Sequence, residues 1–158
     1  MALLIEDLMR TAIDAARRGI VAGQTPFGCA IAIEDTIVAA CHNTVRLTTD
    51  ITAHAEVNAI REACRRREDI FLENAIVATT CEPCPMCMSA LHWARVATVH
   101  YGASIGDAAN AGFNELAIPA KELIESGGGA TELHDNVLAQ ECRELFATWK
   151  EQSPDSVY

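Results

Sequence analysis

Residues 75–101 read AIVATTCEPCPMCMSALHWARVATVHY. Ala75 to Thr80 is a β-branched, apolar run long enough for one buried strand. Pro85 suits the first turn of a helix, where its missing N–H would have no partner. That helix runs through Met88 and Leu91 to about Arg95. Ala97 to Tyr101 is a second strand. Strand, helix and strand in so few residues predict a crossover unit and hence parallel pairing.

Working back toward the N-terminus, a helix is expected from about Ala53 to Arg67, with Val57, Ile60 and Cys64 toward the core. Thr44 to Thr52 is polar and reads as loop. Phe27 to Ile33 and Thr36 to Cys41 are β-rich, and Glu34-Asp35 between them predicts a tight antiparallel hairpin. Residues 3 to 21 carry Ile5, Leu8, Met9, Ala12, Ile13, Ala16 and Ile20 at helical spacing, ended by Gly23 and Pro26. Toward the C-terminus, a short helix from Pro119 to Glu125 stops at Gly127-Gly128-Gly129. This glycine run lacks a following Lys-Ser/Thr and reads as a turn. Thr131 to His134 suits an edge strand. Asn136 to Lys150 is a final amphipathic helix carrying Leu145, Phe146 and Trp149. The pattern predicts a mixed sheet between helix layers, as an α/β fold.

With 158 residues, 50% of them apolar and 22% charged, the chain has the composition of a soluble globular domain. One domain over 1–158 is expected, with a polar tail from about 151 to 158. No apolar run approaches the ~18 residues of a membrane span. The first residues, MALLIEDLMR, lack the basic start of a secretion signal. The net charge of −10 lacks the basic footprint of a nucleic-acid binder and suits a small neutral ligand. Arg65-Arg66-Arg67 is followed at once by Glu68-Asp69, which is the pattern of a solvated helix end. Seven cysteines at uneven spacing and no secretion signal argue against a disulfide framework and for a reducing, cytoplasmic setting.

Chemistry concentrates in two places. His54-Ala55-Glu56 stands at one helix start and Pro83-Cys84-Pro85-Met86-Cys87 at another. H-x-E followed by P-C-x-x-C is the pattern of the zinc nucleobase deaminases. Cys84 and Cys87 lie one helical turn apart, so both sulfurs face one side. His54, Cys84 and Cys87 supply three ligands, and zinc takes four, which leaves a position for water. Glu56, two residues past the imidazole, is placed to move that water's proton. A structural zinc finger would need a second ligand pair, and none is present. An iron–sulfur run from Cys81 would need a fourth ligand where Leu91 stands. A redox C-x-x-C would give His54 and Glu56 no role. Cys81 is expected to pack beside the site without ligating. A scaffold that merely binds zinc has no use for Glu56.

The chain resembles the cytidine-deaminase-fold superfamily and, within it, the guanine deaminase branch that includes plant guanosine deaminases. The residues that carry the likeness are Pro26-Phe27-Gly28, His42-Asn43, Thr52 to Val57, Ala59-Ile60-Arg61, Cys81 to Cys87, Trp93-Ala94-Arg95, Ala111-Gly112-Phe113 and Tyr158. The resemblance implies a three-layer α/β/α sandwich around a mixed five-stranded sheet. It implies Zn2+ and a purine base as substrate, with guanine to xanthine plus ammonia as the expected reaction. Asn43 would hydrogen-bond the purine, Phe27 and Trp93 would form apolar walls, and Ala55 would offer its backbone N–H. Tyr158 would close the pocket, on a partner subunit of a homodimer that exchanges C-terminal segments.

Many branch members read Gly-Phe-Asp-Asp where this chain has Gly112-Phe113-Asn114-Glu115. Asn114 and Glu115 are therefore expected at the substrate, with Glu115 binding the base or relaying a proton. The longer carboxylate leaves the exact substrate open, guanosine, cytosine and triazines included. The tRNA adenosine deaminases share the metal motif, but 5% aromatics and the acidic balance give RNA few stacking partners or cations.

Overall fold

The computed structural model describes residues 2–153 and 157–158. Its elements are α1 (Ile5–Val21), β1 (Gly28–Ile33), β2 (Thr36–His42), α2 (Val45–Thr48), α3 (Ala55–Arg67), β3 (Ile76–Cys81), α4 (Pro85–Trp93), β4 (Thr98–Ala103), α5 (Ile105–Asn110), α6 (Ala120–Gly127), β5 (Glu132–His134) and α7 (Ala139–Gln152). The sheet runs β2-β1-β3-β4-β5. β1 is antiparallel to both β2 and β3, and β3, β4 and β5 are parallel. This is the expected mixed sheet. The hairpin turn places Glu34 and Asp35 both at positive φ (49° and 60°), as a two-residue connection requires.

Two apolar layers cover the sheet. On one face α1 and α7 bring Leu8, Met9, Ile13, Phe146 and Trp149 against Ala30, Ala32, Ala78 and Ala103. On the other, α3, α4 and α6 pack on Cys29, Ile31, Val77 and Val99. The strands' alternation sends neighbouring residues to opposite layers. The result is the three-layer α/β/α sandwich. Gly28 shows how tightly α1 lies on the sheet, since a Cβ there would strike the carbonyl of Ala12 and the backbone of Ala16.

The structure corrects several details. Ile60 and Cys64 of α3 pack half-buried against the core as expected, but its fully covered positions are Ala55, Glu56, Ala59 and Ala63, and Val57 is half-buried. Alanines let the helix axis approach the strands, so the small side chains take the innermost line. Within the expected loop 44–52, Val45–Thr48 makes one helical turn. α5 arises where no element was expected. It is held by a capping box in which Ser104 Oγ accepts from Asp107 N–H and the Asp107 carboxylate accepts from Ser104 N–H. The basic run ends α3 as expected, with Arg65 and Arg66 paired to Glu62. No helix among the described residues is long and apolar enough to cross a membrane.

Candidate active site

Two helix starts meet at one end of the sheet. His54 is the N-cap of α3 and Cys84 the N-cap of α4, both extended (φ −66°, ψ 158° and φ −64°, ψ 166°). Neither side chain caps its own helix. Both turn instead toward a common point. His54 Nδ1 stands 3.7 Å from Cys84 Sγ and 3.4 Å from Cys87 Sγ. The three donor atoms lie within 4.8 Å of one another, and no other such group of His, Cys, Asp or Glu occurs among the described residues. A tetrahedral zinc with its usual bond lengths holds sulfur and nitrogen ligands about 3.5 Å apart. The nitrogen–sulfur spacings here fit that ion, and one nitrogen with two sulfurs is a zinc donor set. Cys81 is absent from the group; its buried thiol donates to the Ser104 carbonyl (3.5 Å).

The electrostatics suit a cation. A hydrogen bond from the Cys87 thiol, with help from His54, overcomes burial and holds Cys84 down to about 4. Its partner Cys87 is pushed well above the ordinary thiol value by that same bond and by burial. Burial alone would lower His54, but the Cys84 sulfur and the Glu56 carboxylate outweigh it and raise the imidazole. One thiolate thus stands ready, and a bound dication would ionise the second sulfur.

Glu56 follows on the first turn of α3, only 7% exposed. Its Oε1 accepts a hydrogen bond from Thr79 on β3 (3.1 Å). Burial, then the neighbouring Cys84 thiolate, raises its carboxyl above the usual range. A carboxyl so shifted is better matched to giving and taking a proton near neutrality.

A cavity of about 310 Å³ opens beside these groups. His54, Glu56 and Cys84 form its floor, and Phe27, Asn43, Asn114, Glu115 and Tyr158 line it. Phe27 stands edge-on to Phe113 (4.9 Å) and Phe146 (5.8 Å). Asn43 is buried at the end of β2; its Oδ1 accepts from Val45 N–H (3.0 Å) and its Nδ2 donates to the Tyr158 hydroxyl (2.7 Å). That hydroxyl also shares a hydrogen bond with Thr25 (3.0 Å), and Asn114 N–H donates to the Tyr158 carbonyl (3.1 Å). Within a single chain, then, the final tyrosine closes the cavity. Residues 154–156 of the expected exchanged tail lie outside the described residues. Burial pushes the Tyr158 phenol to about 12 and Glu115 to about 6.

One expectation differs. Trp93 does not reach this cavity. It ends α4, nine residues long, so it sits roughly 13 Å along the axis from Cys84. There it is 79% exposed, beside a separate hollow with Leu123 and Ile124. Ala55, from which a backbone N–H was expected, is fully buried in the first turn of α3 beside Glu56. The cavity also takes in Ile51, Glu82, Pro85, Met86, Phe113 and Leu116, which sequence reasoning did not place there, and Cys81 borders it. Phe113 had a signal, being one of the Ala111-Gly112-Phe113 residues that carry the family likeness.

Residues 4–103 match the family described as the cytidine and deoxycytidylate deaminase zinc-binding region. The chain belongs to this family. Zinc is the cofactor its His/Cys/Cys group is built to hold, and the chain is a hydrolytic deaminase. The deaminase is 39% identical to guanine deaminase of Bacillus subtilis (strain 168) over 146 residues, 92% of this chain and 93% of that protein. It is 40% identical to a tRNA-specific adenosine deaminase of Aquifex aeolicus over 98 residues, 62% of this chain and 65% of that one. The solved structure of the Bacillus subtilis guanine deaminase superposes with a TM-score of 0.69 at 43% identity, over 72% of this chain and 73% of that chain. Guanine deaminase from Nitrosomonas europaea superposes with a TM-score of 0.87 at 22% identity, over 96% and 87%, and so shares the fold.

Proposed function

We propose that this deaminase converts the free base guanine to xanthine and ammonia. The observation that carries the reading is 39% identity to a guanine deaminase over 92% of the chain; tRNA-specific adenosine deaminases reach 40% over only 62% of the chain, or 80% of it at only 28% identity. The cavity supports it. At about 310 Å³ it is at the small end of ligand sites, and its Phe27 and Phe113 walls suit a flat ring.

In this reading His54, Cys84 and Cys87 hold zinc. Bound there, the metal would lower the pKa of a water toward neutrality and so supply the nucleophile. Glu56 takes a proton from the attacking water as oxygen bonds to the carbon bearing the exocyclic amine. Glu56 then delivers that proton to the adjacent ring nitrogen, giving a tetrahedral intermediate. It next carries the remaining hydroxyl proton to the amine as the C–N bond breaks, and ammonia leaves. Thr79 holds one Glu56 oxygen throughout, leaving the other for the water. Asn43 orients the base with a single donor. Its Oδ1 and one Nδ2 hydrogen are already engaged, so the second Nδ2 hydrogen faces an acceptor of the purine. Glu115, raised to about 6, receives or returns a proton on the far side of the ring. Asn114 shapes the same wall. The Ala55 amide, in the unsatisfied first turn of α3, supplies a donor near the reacting centre.

The same reading makes the enzyme a cytoplasmic homodimer that exchanges C-terminal segments, with Tyr158 of one subunit taking in its partner the place beside Thr25 and Asn43 that it takes here within one chain. In support, the Bacillus subtilis relative aligns in sequence over 92% of the chain, while its structure superposes over 72%.

The test is ammonia release from a panel of bases, nucleosides and RNA. Guanine is expected as the turned-over substrate, with Glu56→Ala retaining zinc and losing nearly all turnover. A wild-type enzyme silent on guanine but active on RNA would replace this reading.

A further inference from the structure

The segment between α5 and α6 forms one wall of the cavity, with Phe113, Asn114, Glu115 and Leu116. Its middle is fixed by Phe113, stacked on Trp149 (5.1 Å, 28°) and edge-on to Tyr158 (5.5 Å). Its ends are fixed by one side chain. Glu82 leaves β3 two residues before Cys84 and is 8% exposed. Its Oε2 accepts from Ile105 N–H, the first amide of α5, at 2.9 Å. Its Oε1 accepts from Ala120 N–H, the first amide of α6, at 2.9 Å. The Glu82 backbone is itself held, its N–H donating to the Ala103 carbonyl at 2.8 Å.

Three features make this more than a chance contact. A buried carboxylate is costly unless its charge is met. No salt bridge among the described residues involves Glu82, and the positive ends of two helices supply the compensation. α6 begins after Pro119, which has no side-chain acceptor and makes no cap bond, so its orphan amide needs an outside acceptor. Glu82 provides it across 38 positions of sequence. Both oxygens are used, one per helix, so no neutral or shorter residue can do the same work. Glutamine would point an NH2 at one of two N–H donors, and aspartate lacks the reach.

We infer that Glu82 is a positioning residue for the substrate-binding wall. A single carboxylate clips the two ends of the segment 105–120 to the strand that delivers the metal ligands. It thereby sets the distance between the wall's Asn114 and Glu115 and the floor's Cys84 and Glu56. Glu82 also borders the cavity, but both its oxygens are engaged by the two helix amides, so it acts through the wall. This deepens the proposed function and rests on its placement of substrate in the cavity, although the clip itself is independent of which base is bound.

The experiment uses the zinc-loaded enzyme and two readouts. Hydrogen exchange compares wild type with Glu82→Gln. Amides of 105–120 are expected to exchange at least fivefold faster, with β1, β3 and α4 unchanged and the zinc content equal. Ile105→Pro removes one donor from the other side of the clip at a first-turn position that tolerates proline. It is expected to loosen the same segment, and adding it to Glu82→Gln is expected to have less than the sum of the two effects. In steady state, Glu82→Gln is expected to raise KM for the wild-type substrate at least fivefold, with a smaller change in kcat. Unaltered exchange in 105–120, or an equal rise through the whole molecule, overturns the inference, as does an unchanged KM. If wild type fails on guanine, the substrate reading fails, while the exchange data still decide the clip.

Discussion

The hydroxyl of Thr79 stands 3.1 Å from Glu56 Oε1 and equally 3.1 Å from the carbonyl of Cys81, yet it has one proton to give. When Glu56 is ionised the proton points at the carboxylate. When Glu56 carries a proton, the carboxylic acid can donate to Thr79 and the hydroxyl turns to Cys81. The threonine thus keeps one carboxylate oxygen in place in both protonation states. Thr79→Val is expected to lower kcat roughly 10- to 100-fold, the worth of a hydrogen bond to a charged group. KM and zinc content should hold, and Thr79→Ser should restore the rate. A Thr79→Val enzyme with wild-type kcat would show that the bond is idle.

Zinc removal is expected to destabilise the fold as well as stop catalysis. His54 and Cys84 start α3 and α4 without capping them, so the bound ion would add a strong tie between two helix ends that otherwise meet only through side-chain packing and the His54–cysteine hydrogen bonds. At free zinc a thousandfold above Kd, binding adds about 4 kcal/mol, or roughly 8 to 16 °C of Tm for a chain of this size. Calorimetry before and after chelation measures it. A chelated protein melting at the same temperature would mean the ion carries no structural share.

With zinc stripped, Cys84 is the thiol expected to react with iodoacetamide at pH 6. Held down to about 4, it is ionised there, whereas burial raises Cys29, Cys41, Cys64, Cys81 and Cys142. Because the Cys84 value is depressed, reactivity is lost only as pH falls through about 4. Peptide mapping decides, and labelling confined to half-buried Cys64 would contradict the assignment. Added zinc should protect Cys84.

Glu115 makes the metal-free protein pH-dependent in the opposite sense. Burial raises its folded value to about 6, so the folded state binds the proton more tightly than the unfolded chain. Its stability contribution is fully present below about 4.5 and is lost as pH climbs through about 6. The shift corresponds to about 2 kcal/mol, which its half-exposed position reduces to about 1 kcal/mol. Glu115→Gln should therefore gain about that much over wild type at pH 8 and nothing at pH 4.5 in urea unfolding. A gap independent of pH would remove Glu115 as the cause.

The sequence made some of this plain and hid the rest for physical reasons. The crossover around Cys84 and Cys87 was legible because its strand, proline and helix follow one another locally. The meeting of His54 with the two sulfurs was legible because ligand chemistry restricts which residues can converge. Trp93 was misplaced because likeness to relatives carries residue type without direction, and the length of α4 takes it away from the cavity. α5 was missed because Ile105–Asn110 is too short and small for an apolar period, although Ser104 and Asp107 spelled its cap. The two bonds of Glu82 join positions 23 and 38 residues apart, and no local pattern marks such a contact.

The strand order β2-β1-β3-β4-β5 has a consequence for biosynthesis. After the opening hairpin, each later strand joins the growing margin in the order in which it emerges from the ribosome. By the time Cys87 has been made, every donor atom for zinc exists, while the roof formed by Phe113, Glu115 and Tyr158 has yet to be translated. The donor atoms for the ion are thus all made before the wall that covers them on one side.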